Sequence, residues 1–305
     1  MQIDPNNQYP QRSGFRISPR LIIVVIIAIV MAFKWMHSAQ VQPETGQKVH
    51  IDPGITPQQE SQMGLQAYQD VLQQEQPVDP NSQIAQQVRA IAQRLITVIP
   101  QVEDALAQEH GTQSQHVERN FEWQETLLKS DEANAFCLPG GKIAVYTGLL
   151  PIAQNANAVA IVLGHEISHA LLRHGAQRMT RQKLEQLGAM AGAVSGMDPN
   201  VQQAVFSAYG VTSQLPYARS QETQADEMGL LIAAAACFDP REAIPLWQRM
   251  DQTSGGNAPP EYASTHPSAG TRMKDLQALM PKAMEYRQRF CKDPAAAGGA
   301  LPATQ

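Results

Sequence analysis

His165-Glu166-Ile167-Ser168-His169 decides how the rest of the chain is read. On an α-helix, residues four apart share a face, so His165 and His169 can offer two imidazoles to one metal ion. Glu166 adjoins them without being a ligand, where its carboxylate can take a proton from an attacking water. The preceding run, Ala158-Val159-Ala160-Ile161-Val162-Leu163-Gly164, is apolar throughout, as expected of a helix sunk in a core. Asn155 or Asn157 suits the start of that helix, and Gly175, after Arg173-His174, suits its end. Two histidines that merely hydrogen-bond inside a core would give the same pentapeptide. The apolar helical setting, with the glutamate in place, favours zinc.

A catalytic zinc takes three protein ligands and keeps one position open. A third histidine six residues after the second would fall on Gly175, so the metzincin pattern is excluded. His174 is one residue short and on another face; it reads as a partly exposed histidine in the last turn, complementing the helix dipole. The third ligand is therefore expected to be a carboxylate from a different helix. Ser220-Gln221-Glu222-Thr223-Gln224-Ala225-Asp226-Glu227 offers one. Glu222 and Asp226 are four apart and share a face: Glu222 as ligand, Asp226 as acceptor of a ligand histidine's ring N–H. Ala225 is small, which allows close approach to the histidine helix. Glu227 is the competing carboxylate, but it points about 100° away from Asp226.

Taken together, the two motifs resemble those of the membrane-associated gluzincin peptidases of the HtpX, LoiP and BepA type, a group that includes the CAAX prenyl proteases. The pairing of His165-Glu166-x-x-His169 with Glu222-x-x-Ala225-Asp226 carries the resemblance. Asn134-Ala135-Phe136-Cys137-Leu138-Pro139-Gly140-Gly141 and Thr265-His266-Pro267 match further elements of the group, and the likeness spans about residues 57–290. It implies one Zn2+ per chain and endopeptidase activity in the quality control of unfolded or misfolded membrane or envelope proteins. It also implies that the strand edge at Asn134, Ala135 and Phe136 holds the substrate main chain by β-pairing. His266 falls at the site in one of two roles, as donor to the developing oxyanion or as a latch on the open metal position. Tyr217 and Arg219 are further candidates for the oxyanion donor. Unlike LoiP and BepA, this chain has an N-terminal apolar run, and it shows no lipobox cysteine.

That run is continuous from Leu21 to Phe33, and Trp35 and Met36 extend it past Lys34. It is short for a span of about 20 residues, but Lys34 can snorkel and Trp35 suits the interface. Arg12, Arg16 and Arg20 precede it, which puts the N-terminus in the cytoplasm and the catalytic part on the extracytoplasmic, periplasmic side. A cleaved signal peptide ending at Ala39 is the rival; Lys34, Trp35 and His37 make a poor approach to such a site. The net charge of −5 is mild and gives no nucleic-acid surface.

The expected organisation is a cytoplasmic segment (1–20), an anchor (21–36), a polar linker with Pro43 and Pro53 (37–56), a zinc metallopeptidase domain (57–292) and a disordered tail (293–305). Helices are expected over 57–74 and 81–98, the second from the period of Ile84, Val88, Ile91, Leu95 and Ile96. Strands are expected near Phe121–Thr126, Ala135–Cys137 and Lys142–Thr147, with a turn at Pro139-Gly140-Gly141. Further helices follow at 177–193, 199–213, 220–236, 240–250 and 270–289; Pro281 is placed to kink or split the last, and the loop at 254–260 is a candidate lid. The fold class is α+β: a mostly helical, zincin-like domain with a small β-sheet edging the active-site cleft, preceded by a membrane anchor. Cys237 and Cys291 both end helices and are expected to meet in a bridge, leaving Cys137 free.

Overall fold

Apolar residues three and four apart build the frame. The computed structural model describes residues 18–201, 203–204, 215–253 and 272–293, and for residues 215–217 and 253 the backbone alone. In chain order, α1 is Pro19–His37, β1 Ala39–Val41, β2 Lys48–His50, α2 Pro57–Gln74, β3 Gln76–Pro77 and α3 Gln83–Glu109. Then come β4 (Gln124–Lys129), β5 (Ala135–Leu138), β6 (Lys142–Tyr146), α4 (Leu150–Ala153), α5 (Ala156–Leu171) and α6 (His174–Ser195). The last three helices are α7 (Leu215–Ala235), α8 (Ala243–Thr253) and α9 (Arg272–Phe290).

α3 buries Ile84, Val88, Ile91, Leu95, Ile99, Val102 and Leu106 along one stripe. The expected end at Val98 is overrun: the helix continues through Pro100 to Glu109. An interior proline costs about 3 kcal/mol. Each large apolar side chain buried beyond it returns roughly 1.5–3 kcal/mol, so the stripe outweighs the breaker. α2 starts as expected, with a capping box between Thr56 and Gln59 and Pro57 in the first turn.

The sheet runs β3-β4-β6-β5. β4 and β6 are parallel, and β5 lies antiparallel to β6 with Ala135 opposite Val145 and Cys137 opposite Ile143. Side chains alternate between two faces. Leu127, Ala135, Cys137, Ile143 and Val145 join the main core with α3 and α5, whereas Leu128, Ala144 and Tyr146 meet Val71 and Leu72 of α2. Gly140 and Gly141, at φ 85° and 80°, make the turn from β5 to β6.

α5 begins at Asn155, whose side chain accepts from the Ala158 N–H at 3.0 Å. Every residue from Ala158 to Leu171 is buried. The helix does not end at Gly175. Arg173 takes the left-handed turn (φ 53°) and Gly175 lies inside α6. The reason is long-range: the buried Arg173 guanidinium is clamped by the Glu60 carboxylate and donates to the Ile55 carbonyl at 2.7 Å. Those contacts hold a conformation that a non-glycine residue otherwise avoids.

α7, α8 and α9 complete the core around α5, and α9 passes Pro281 without a break. Cys237 and Cys291 are bonded, with Cα atoms 4.8 Å apart, and Cys137 is free and buried.

Residues 38–56, expected as a polar linker, carry ordered structure. β1 and β2 pair as a hairpin, Ile51 and Ile55 pack on Ala176 of α6, and Thr180 Oγ1 accepts from the Asp52 N–H at 2.8 Å. α1, capped by Ser18, is long and apolar enough to cross a membrane. It runs antiparallel along α6, with Met31 beside Gly188 and Arg20 beside Gly196. Arg12, Arg16, most of the expected 199–213 helix, the 254–260 loop, His266 and the tail from residue 294 lie outside the described residues.

Candidate metal centre

The site forms where α5 crosses α7. Gly164 and Gly229 meet there backbone to backbone: a Cβ on Gly164 would stand 2.5 Å from the Gly229 carbonyl oxygen. No side chain fits at either position, and the buried Ala225 lies one turn away. The pentapeptide follows directly after Gly164, so this contact sets how near its histidines come to Glu222.

His165 and His169 lie one turn apart, with their Nε2 atoms 3.0 Å from each other. Glu222 Oε2 is 3.3 Å from His165 Nε2, and Glu222 Oε1 is 3.4 Å from His169 Nε2. All three side chains are buried. Ligands bound to tetrahedral zinc at roughly 2.0–2.1 Å stand about 3.3 Å from one another. Two imidazole nitrogens and a carboxylate at this spacing therefore fit zinc in both chemistry and geometry.

Outer partners fix the tautomers. His165 Nδ1–H donates to Asp226 Oδ1 at 2.8 Å, and Asp226 also accepts from Arg272 Nη2 at 2.6 Å. The His165 Nε2 lone pair is thereby turned to the centre. His169 is held by a relay. Its Nδ1 lies 2.9 Å from His174 Nδ1, and His174 Nε2 lies 3.0 Å from Gln224 Oε1. Gln224 Nε2 donates to Gln47 Oε1 at 2.7 Å, so the Gln224 oxygen faces His174 and accepts its Nε2–H. His174 Nδ1 is then an acceptor and His169 Nδ1–H its donor, which leaves the His169 Nε2 lone pair for a metal.

His174 is thus not a partly exposed residue of a last helical turn. It is fully buried at the start of α6, and the left-handed turn at Arg173 brings it back against His169. Burial lowers its pKa to about 3 despite the Gln224 contact. At His165 burial also acts downward, but Asp226 and Glu222 outweigh it and raise the pKa to about 9. That field favours any cation placed between the two carboxylates. Burial pushes Asp226 up, yet Arg272 and His165 more than offset this and hold it below the usual carboxylate value.

Glu166 is buried on the β5 side of α5, close enough to add to the burial that raises the Cys137 thiol. β5 is one of the two edge strands of the sheet. The Tyr146 N–H donates to the Asn134 carbonyl at 3.0 Å. Antiparallel alternation then points the main-chain groups of Phe136 toward β6 and those of Ala135 and Cys137 outward. The Asn134 side chain accepts from the Ala135 N–H at 2.9 Å. The Phe136 side chain lies on the α2 face beside Tyr146, away from α5.

Glu227 turns to Lys282 at 3.1 Å and does not join the cluster. Arg219 lines a pocket of about 260 Å³ that opens beside Glu222 and Asp226. His266 and the Tyr217 side chain lie outside the described residues. Arg272 has no counterpart in the sequence expectations. It is buried, stacked 3.4 Å above the Trp247 ring, and neutralises Asp226. A cation in the first turn of a helix opposes the dipole, and that was the one signal available for it.

Peptidase family M48 matches residues 97–280, more than half of the 305 and inclusive of all three candidate ligands. The mitochondrial metalloendopeptidase OMA1 of Schizosaccharomyces pombe is 36% identical over 172 residues, 55% of this chain and 50% of that protein. The human mitochondrial metalloendopeptidase OMA1 is 35% identical over 184 residues, 56% of this chain and 35% of its own length. The β-barrel assembly-enhancing protease of Escherichia coli is 30% identical over 161 residues, 50% of this chain and 33% of its own. The chain therefore spans half or less of the length of these relatives. A two-histidine, one-glutamate cluster on crossing helices, inside a segment that the family profile covers from end to end, leads to one assignment: the chain belongs to peptidase family M48.

Proposed function

We propose that this chain is a zinc-dependent endopeptidase, anchored in a membrane by α1, that cleaves unfolded or misfolded membrane or envelope proteins. The convergence of His165 Nε2, His169 Nε2 and the Glu222 carboxylate in a buried site carries this reading. Zinc bound there supplies a Lewis acid that eases deprotonation of water and polarises a peptide carbonyl. The protein's residues do the rest. Glu166 takes the proton from the attacking water and hands it to the leaving amine. Asp226 and the His174–Gln224 pair keep both imidazoles in the binding tautomer.

The segment Asn134–Phe136 holds substrate through the outer edge of β5, using main-chain groups of Ala135 and also Cys137. Pairing of this kind selects an extended, unfolded chain rather than a particular sequence. Asn134 must release the Ala135 N–H for that group to be used. His266 acts as oxyanion donor or as latch. The Cys237–Cys291 bond supports an oxidising compartment for the catalytic domain. Together with Arg20 at the start of α1, it favours a cytoplasmic N-terminus and an extracytoplasmic, periplasmic domain.

The test is casein cleavage by the full chain in detergent, with and without Glu166→Gln, alongside zinc content. Cleavage that is lost in the variant at unchanged zinc supports an enzyme. Zinc binding without cleavage in either protein would instead make the chain a zinc-retaining, chaperone-like binding module.

A further inference from the structure

A second set of metal-ligating side chains shares no residue with the centre on α5. Glu103 sits near the end of α3, and His116 and Glu118 come from the segment after it, where Val117–Asn120 forms a 3-10 turn. One donor atom from each lies within 4.8 Å of the other two. His116 Nδ1 is 3.1 Å from Glu118 Oε1 and 3.5 Å from Glu103 Oε2. On the far side of the same ring, His116 Nε2 is 3.2 Å from Asp104 Oδ1.

An acidic cluster alone means little, but two atoms here point to a ligand. Glu103 Oε2 and Glu118 Oε2 are buried and have no hydrogen-bond partner among the described residues; Glu103 is 1% exposed and Glu118 9%. Leaving such oxygens unsatisfied is costly, and bringing two carboxylates together out of water costs more. Something positive must compensate, either a proton or a metal.

A proton carried by His116 would be donated to Glu118 Oε1 and Asp104 Oδ1, which leaves Glu103 Oε2 and Glu118 Oε2 without a partner among the described residues; a metal takes up both. A metal needs a ring nitrogen facing it and a partner for the opposite N–H. His116 has both, with the nitrogens exchanged relative to His165: Nδ1 faces the carboxylates and Nε2 faces Asp104. Its backbone is held at φ 48°, with its N–H donating to Ser114 Oγ at 3.1 Å, and this turns the ring in between the carboxylates.

We propose that Glu103, His116 and Glu118 bind a divalent cation of the zinc type, with Asp104 accepting the His116 Nε2–H. One nitrogen with two carboxylates suits zinc, whereas calcium and magnesium favour all-oxygen sites. The cation would pin the end of α3 to the 3-10 turn. It would also brace the hairpin after α1, because Ser114 Oγ donates to Glu44 Oε1 at 3.0 Å and Thr112 Oγ1 to the Pro43 carbonyl at 2.8 Å.

The experiment uses the full chain in detergent with His165→Ala and His169→Ala, which removes the α5 centre. The protein is stripped with chelator, reloaded with zinc alone and desalted, and its zinc is counted by elemental analysis. One zinc per chain is expected, lost on adding Glu118→Gln. Added zinc should also raise the thermal midpoint of the double variant and not that of the triple. A folded double variant that keeps no zinc and whose melting ignores zinc overturns the proposal and leaves a proton-sharing carboxylate pair. Should Glu118→Gln fail to fold, Asp104→Asn decides instead. It leaves all three ligands and should weaken zinc about 10–100-fold; unchanged affinity overturns the assignment. Failure at the α5 centre reads out separately, as wild-type protein that carries no more zinc than the double variant.

Discussion

His174→Leu tests the relay behind His169. The change keeps every proposed ligand and removes the acceptor that lies 2.9 Å from His169 Nδ1. Before zinc binds, His169 can answer by moving its proton to Nε2, which lies 3.0 Å from His165 and 3.4 Å from Glu222. Once zinc takes Nε2 the proton must return to Nδ1, where it now faces leucine. A buried donor without a partner costs roughly 1–3 kcal/mol, and here the cost falls on the zinc-loaded state alone. Zinc affinity should therefore drop about 5–150-fold, in line with the loss of about 10–100-fold expected when an outer partner of a ligand is removed. Competition with a chromophoric chelator measures it, in a Glu166→Gln background so that the protein does not cut itself. Circular dichroism checks the fold, and casein cleavage by the Glu166-bearing form should recover in excess zinc. A folded variant whose zinc affinity stays within about twofold of the parent would refute the relay.

Glu166→Gln should keep fold and zinc and lose nearly all casein cleavage; turnover near the wild-type rate would remove it as the base. Glu222→Ala should strip zinc from the α5 centre and Glu227→Ala should not, with Asp226→Ala in between at about 10–100-fold weaker binding there; the reverse order would mean that the ligand is Glu227. His174 also predicts acid sensitivity. Its folded pKa of about 3 lies below the ordinary 6.5, so between those values the unfolded chain binds a proton that the folded chain refuses. Stability should fall as pH drops below about 6.5, by up to about 1.4 kcal/mol per pH unit from this group. Urea midpoints of wild type and His174→Leu at neutral and mildly acid pH check it, and equal losses in both would contradict it. For His266→Ala at unchanged zinc, a fall in turnover identifies an oxyanion donor and a rise identifies a latch; no change removes His266 from the site.

The candidate ligands, which the fold brings together, were legible because their signal is local: four-residue spacing on two helices with an apolar run leading into the first. Asp226 followed by the same rule, and the Cys237–Cys291 bond from two helix ends. His174 was not legible, because its place depends on where α5 stops. The local rule chose Gly175 for its conformational freedom. The chain instead bends at Arg173, held by Glu60, which lies 113 residues earlier. Arg272 escaped for a similar reason, since its partners Asp226 and Trp247 sit on two other helices. The expected end of α3 at Val98 fell short in the opposite sense: the apolar stripe continues through Pro100, a local breaker, to Glu109. The hairpin at 39–50 was missed because strands of three residues are too short to show a period.

The packing of α1 along α6 has a metric consequence. A domain hung from a flexible tether can meet its targets at any height above the surface that holds it. In this chain one end of α6 carries His174, in contact with His169, and the other lies beside Arg20 at the start of α1. The 22 residues between them form a rod of about 33 Å at roughly 1.5 Å per residue. With α1 seated in a bilayer, that rod acts as a ruler. It sets the elevation of the candidate metal centre above the anchor's first turn, so under the proposed peptidase function a substrate segment would be cut according to its distance from the membrane as much as its disorder.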